Sequence, residues 1–168
     1  MSAAADTYEI KPRGAREGKY LTFSLGAEEY GVGILKVREI IGMMPITPIP
    51  LAPDFLKGVI NLRGKVIPTV DLRRKFGMPE TDFTERTCII VVETNRGSSG
   101  VLTGVVVDSV SEVLNVRASD IEDAPELGGG LKSEYILGIA KTEGGIKILL
   151  DIDIVLNDQD TAAVEKAA

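Results

Sequence analysis

The sequence predicts an all-β fold of small barrels with few short helices, assembled from two copies of one unit. The chain is divided into short β-branched runs by Gly, Pro and Asn punctuation, which suits many short strands better than an open α/β sheet. It also repeats itself. The stretch FLKGVINLRGKVIPTVDLRRKFG returns as YILGIAKTEGGIKILLDIDIVL, with Gly58 and Asp71 answered by Gly138 and Asp151 at one common offset. Upstream, Gly31, Val37, Glu39 and Ile40 are answered by Gly104, Val110, Glu112 and Val113, again at a single offset. Two ungapped blocks in the same order indicate duplication of a unit of about 75 residues. With 44% hydrophobic but only 5% aromatic residues, the core is expected to be aliphatic.

Taken in order, residues 1–17 are small, polar and charged, and read as a flexible tail. Residues 20–25 alternate as a strand, Gly26 and Ala27 turn the chain, and 28–34 return as a second strand. The period changes over 35–42, which predicts a short helix or an irregular turn. Four prolines, Pro45, Pro48, Pro50 and Pro53, make 43–53 an extended edge segment.

A hairpin follows, with Val59, Ile60 and Leu62 before Arg63-Gly64 and Val66, Ile67 and Val70 after it. Pro68 places the second strand at an edge or a bulge. Asp71 caps a short helix running through Phe76, and Gly77 suits its C-terminal end. Residues 87–93 and 101–108 form the next hairpin around a loop at 94–100, and Val110, Val113 and Val116 continue as a strand. Residues 120–132, with Pro125 and Gly128-Gly129-Gly130, read as a loop. The second copy of the hairpin and helix closes the domain at about 157, leaving 158–168 as a second flexible tail.

Composition narrows the chemistry. There is no histidine, so Ser-His-Asp and Cys-His catalysis and histidine-ligated metals are excluded. The lone Cys88, in an apolar run, reads as a buried strand thiol, unable to form an intrachain disulfide. A net charge of −6 without a basic stripe argues against nucleic acid. No phosphate-binding loop or dinucleotide fingerprint is present, and no cofactor is expected. No apolar segment reaches membrane-spanning length, so a cytoplasmic protein without direct membrane insertion is expected. Asp151 and Asp153 are explained as a helix cap and a solvated first-turn charge. The run Arg73-Arg74-Lys75 reads as a solvated face. A small β-barrel ligand-binding or carboxylate-using enzyme domain is the alternative reading.

Comparing the copies is more informative. Where the first has Lys57, Arg63 and Lys65, the second has Leu137, Glu143 and Gly145, while the apolar strand positions are shared. Fold alone does not demand Arg63, whose planar five-donor fork suits carboxylates and carbonyls at interfaces.

The segments YLTFSLGAEEYGVGILKVREI, FLKGVINLRGKVIPTVDLRRKFG and GVVVDSVSEVL resemble the CheW family of bacterial chemotaxis coupling proteins over about residues 18–157. The resemblance implies two intertwined SH3-like five-stranded β-barrel subdomains related by a pseudo-twofold. It implies a non-enzymatic adaptor that couples methyl-accepting chemotaxis receptors to the regulatory domain of the histidine kinase CheA, recruited to membrane receptor arrays. By motif, Val37, Glu39, Gly58 and Arg63 match receptor-contact positions, with Thr47 and Asn61 peripheral to them, and Ile34 matches the kinase face. The resemblance implies that a glycine at position 58 lets a receptor helix approach the backbone; the competing reading is that Gly58 serves a bulge, as Gly138 would in the other copy. The chain departs from its relatives after Ile121, where a basic residue and an aromatic near Leu127 are often found.

Overall fold

Turn chemistry and β-branched runs produce eleven strands among the residues described by the computed structural model, which are 16–96, 99–125 and 133–156. They are β1 (Gly18–Leu25), β2 (Glu28–Gly33), β3 (Val37–Gly42), β4 (Leu56–Leu62), β5 (Lys65–Asp71), β6 (Cys88–Arg96), β7 (Ser99–Val107), β8 (Ser109–Val116), β9 (Ile121–Glu122), β10 (Ile136–Thr142) and β11 (Gly145–Leu150). Two short helices, α1 (Leu72–Lys75) and α2 (Ile152–Leu156), follow β5 and β11. The glycines at 128–130, Leu127 and both expected tails up to residue 15 and from 157 lie outside the described residues.

The strands form two sheets, ordered β3-β6-β7-β5-β4 and β8-β1-β2-β11-β10-β9. Replacing each strand by its duplicate converts one five-strand order into the other, with the two-residue β9 added at one edge. The copies are intertwined. The β1–β2 hairpin of the first copy pairs with β8 and β11 of the second, and β6–β7 of the second pairs with β3 and β5 of the first. Both crossings use the same parallel register, Thr69 to Gly104 and Leu149 to Gly31.

The repeat extends to backbone detail. Both hairpins carry a register shift beside their glycine, between Leu56 and Gly58 and between Ile136 and Gly138. Asp71 donates its N–H to the Phe55 carbonyl at 2.7 Å, as Asp151 does to Tyr135 at 2.8 Å. Asp71 caps α1 by accepting from the Arg73 N–H at 3.0 Å, and Asp151 accepts from that of Ile154 at 3.3 Å.

The largest buried cluster lies between the sheets and draws on both, including Leu25, Val32, Leu72, Val92, Val105, Leu150 and Val155. Its centre is a row of rings, Phe23, Tyr30, Phe76 and Tyr135, with successive centroids 5.8 to 6.1 Å apart. The few aromatics are thus concentrated where the subdomains meet, while each sheet keeps a smaller, largely aliphatic cluster of its own.

Four expectations need correction. Residues 35–42 are one 3₁₀ turn (Ile34–Lys36) followed by strand β3, whose burial alternates although its apolar residues do not, because Glu39 takes a half-buried position and Ile40 an exposed one. The expected loop at 94–100 is mostly ladder, with Thr94, Asn95 and Arg96 paired to Val101, Gly100 and Ser99. Strand β5 is interior, yet Pro68 sits where no ladder bond is lost. Val59, opposite Pro68, turns its own N–H and C=O to Thr47, and pairing of β5 with β7 begins only at Thr69. Arg16, placed in the tail by sequence, is buried, with its guanidinium donating to the Leu137 carbonyl at 2.7 Å and to Asp123 at 2.9 Å.

Candidate functional site

Arg63 stands at the tip of the β4–β5 hairpin with φ 52°, followed by Gly64 at φ 87°. Two successive left-handed residues match the twist of the flanking strands, but only the glycine adopts that conformation freely. Among the described residues, Arg63 and Leu51 are the non-glycine positions with positive φ. Asn61 supports the turn by accepting from the Gly64 N–H at 2.8 Å. The Arg63 side chain, 70% exposed, donates to the carboxylate of Glu39 on β3. Strand and hairpin tip, distant in sequence, thereby meet through a charge-assisted contact.

The twin positions hold Glu112 and Glu143, two acids that cannot form this contact. The first subdomain alone therefore presents the fork. Two exposed apolar residues accompany its elements, Ile40 beside Glu39 and Val66 just past the tip, 46% and 65% exposed.

Gly58 and Thr47 serve each other rather than open solvent. Thr47 makes the isolated bridge to Val59, with two backbone hydrogen bonds of 2.9 Å. A Cβ on Gly58, whose φ is 147°, would lie 2.0 Å from the Thr47 carbonyl oxygen. The close approach expected of a partner helix is thus occupied by the chain's own proline-rich segment. Gly138 repeats the arrangement, since a Cβ there would meet Ile121 Cγ2 at 2.6 Å and the Glu122 carbonyl at 3.0 Å.

Val37 and Ile34 are half-buried on the rim of the cluster between the sheets. Ile34 also lines a cavity of about 230 Å³ with Tyr20, Leu137, Leu150 and Ile152. The site residues therefore fall into three places: Glu39, Asn61 and Arg63 around the hairpin tip, Thr47 with Gly58 at the edge of β4, and Ile34 with Val37 at the junction.

Sequence reasoning missed an apolar trough of about 640 Å³ beside Thr47, lined by Met43, Met44, Ile46, Pro48, Lys57 and Phe83. Two adjacent methionines and clustered prolines were its visible signal. Lys57 crosses its edge, 5.4 Å from the Phe83 ring and 2.5 Å from Glu80, whose carboxyl it holds below the ordinary range.

The remaining charged groups have structural partners. Asp153 is paired with Lys36 at 2.6 Å and accepts from the Asn95 N–H at 3.2 Å, so it is not the solvated charge expected. The basic run on α1 is likewise no solvated face. Arg73 grips Asp108, Arg74 pairs with Asp54 at 3.3 Å, and Lys75 lies 4.6 Å from the Phe55 ring. Burial pushes the Asp71 carboxyl upward against the opposing pull of Lys57 and the α1 amides. Cys88 is half-buried at the start of β6, with its thiol pushed up by burial. Among the described residues, no group of three or more metal-ligating side chains occurs, and no helix is long and apolar enough to cross a membrane.

The CheW-like domain family matches residues 19–160. A chemotaxis protein CheW of Klebsiella aerogenes is 43% identical over 150 residues, covering 89% of this chain and 88% of that protein. A probable chemotaxis protein CheW of Rhizobium etli is 32% identical over 157 residues, covering 94% and 99%. Among solved structures, the scaffolding protein TtCheW of Thermoanaerobacter tengcongensis superposes with a TM-score of 0.75 at 34% identity, covering 86% of this chain and 90% of that one.

Proposed function

The chain belongs to the CheW-like family of chemotaxis scaffold proteins, which are not enzymes, and on that premise we propose that it couples methyl-accepting receptors to the regulatory domain of the kinase CheA at the cytoplasmic face of receptor arrays. The receptor side is the hairpin tip of the first subdomain, where Arg63 and Glu39 meet beside Ile40 and Val66. An exposed guanidinium on a left-handed residue, in a turn that Asn61 supports through the Gly64 N–H, and absent from the twin hairpin, is the observation that carries this assignment. Val37 adds an apolar wall from the same strand as Glu39. Thr47 and Gly58 act by positioning, because their contact fixes the edge segment against β4. Ile34, which packs with Val37 against the cluster between the sheets, belongs to the kinase-facing surface by family resemblance.

A pull-down with a receptor cytoplasmic fragment and purified kinase tests the assignment. Wild type retains both, and Arg63→Glu loses the receptor fragment while keeping the kinase. Retention of both by that variant refutes the receptor site, and loss of both refutes the separation of the two surfaces.

A further inference from the structure

Each half of the chain contains a full set of five strands, yet the sheets exchange hairpins between halves. Pairing each hairpin within its own half would give the same strand order with the same apolar pattern, so burial alone does not choose between the two arrangements. The contacts at the crossings differ between the copies in a way that does choose.

Arg73 on α1 donates from Nε and Nη2 to both carboxylate oxygens of Asp108, at 2.7 and 2.6 Å, at the corner between β7 and β8. Eighty positions later, the residue matching Arg73 is Asp153, and it pairs at 2.6 Å with Lys36, one position past the residue matching Asp108. The two junctions are of opposite polarity. Within-half pairing would set Arg73 against Lys36 and Asp153 against Asp108, like charge against like charge at both. The third contact lies in the ladder. Lys147 on β11, 6% exposed, faces Glu29 on β2 in parallel register, with Nζ 2.6 Å from the carboxylate. The matching residues of the other sheet are Ile67 and Leu102, which pack in an apolar cluster. Within-half pairing would put Glu29 on Ile67 and bury the Lys147 ammonium against Leu102 without a counter-charge.

We infer that Arg73–Asp108, Asp153–Lys36 and Lys147–Glu29 act together as a charge code that selects exchange of hairpins between the halves over pairing within each half. Such pairs add little net stability when the alternative is well-packed apolar residues, but they penalise a wrong partner heavily. Their placement at each crossing, with reversed polarity in the two α-helix junctions, is what a discriminating role requires.

The test is a charge exchange in the full chain. Arg73→Asp with Asp153→Arg keeps composition and net charge but makes both native junctions like-charged and both within-half junctions complementary. Amide-to-amide NMR contacts between Thr69 and Gly104, and between Leu149 and Gly31, report the native arrangement after refolding. The reversed chain should show a native fraction roughly tenfold below that of the neutral control, Arg73→Gln with Asp153→Asn. Adding Lys36→Glu and Asp108→Asn, which restores one attraction, removes one repulsion and keeps an acceptor for the Gly26 N–H, should bring the fraction back to within about twofold of the control. An equal native fraction in the reversed chain and the control overturns the code, as does failure of the added pair to recover it.

Discussion

Replacing Gly58 by alanine should unfasten the edge of the first subdomain. The new Cβ would sit 2.0 Å from the Thr47 carbonyl oxygen, 2.7 Å from its carbonyl carbon and 3.0 Å from the Pro48 Cα, all backbone atoms that cannot swing aside as a side chain can. Position 58 also has φ 147°, which an L-residue enters only at a cost of about 1–2 kcal/mol. Moving Thr47 away breaks both of its hydrogen bonds to Val59, each worth about 0.5–1.5 kcal/mol. The expected loss is therefore about 2–5 kcal/mol, read as a lower midpoint in urea. At Gly138 the atom met first is the buried Cγ2 of Ile121, and the backbone contact is no closer than 3.0 Å, so Gly138→Ala should cost less, about 1–3 kcal/mol. Receptor capture by Gly58→Ala should fall together with protection of the Thr47 and Val59 amides from hydrogen exchange. A Gly58→Ala protein within about 0.5 kcal/mol of wild type, or one that loses receptor with both amides still protected, refutes the positioning role.

Four further outcomes follow from the geometry. Exchanging the hairpin pair as Glu39→Arg with Arg63→Glu should change stability by less than about 1 kcal/mol, because Arg63 is mostly exposed, yet leave receptor capture lost in the pull-down; recovered capture would place recognition in the pair and not in the fork. Glu29→Gln should cost about 3 kcal/mol, since it strands a buried ammonium, whereas Lys147→Met, which leaves a partly exposed carboxylate, should cost about 1 kcal/mol or less; equal midpoints in denaturant contradict this. The paired hydrogen bonds from Arg73 hold the Asp108 carboxyl below its ordinary value. Its stabilisation is therefore complete above the unfolded-state pKa of about 4 and lost as pH falls through the lower folded value, so Asp108→Asn should flatten the acid limb of a stability–pH curve, and an unchanged limb rejects it. Asp71 shifts the opposite way. Asp71→Asn should stay near wild type while Asp71→Ala loses about 1 kcal/mol as the α1 cap disappears, and equal losses would deny the cap.

The local parts of the fold were readable because short-range chemistry writes them. Gly64 and Gly77 mark turns that need left-handed backbone, Asp71 and Asp151 cap helices, and the duplication shows in the constant offset between hairpins. The exchange of hairpins was expected only through family resemblance, because parallel partners such as Glu29 and Lys147 lie far apart in sequence and each strand's apolar pattern fits either arrangement. Strand β3 is hidden for a local reason: a carboxylate, Glu39, occupies a half-buried position and Ile40 an exposed one, so apolar residues do not alternate along it. At the site, Arg63 stood out because its twin is acidic, but its bond to Glu39 is tertiary and invisible in either motif alone. At Gly58 the bulge reading holds, with a register shift beside it as beside Gly138, while the backbone it admits is that of Thr47: sequence shows that backbone passes close to a glycine, not whose backbone it is.

Hairpin exchange has a consequence for synthesis. As the nascent chain leaves the ribosome, β1–β2 emerges before the other strands and must wait for β11, the last strand in order, before its sheet is complete. The β3–β5 half-sheet likewise waits for β7. Neither subdomain is finished during most of translation, and sequence-distant pairing of this kind is slow to form. A premature stop anywhere before β11 would therefore spoil the subdomain begun at residue 18 as well as the one it truncates.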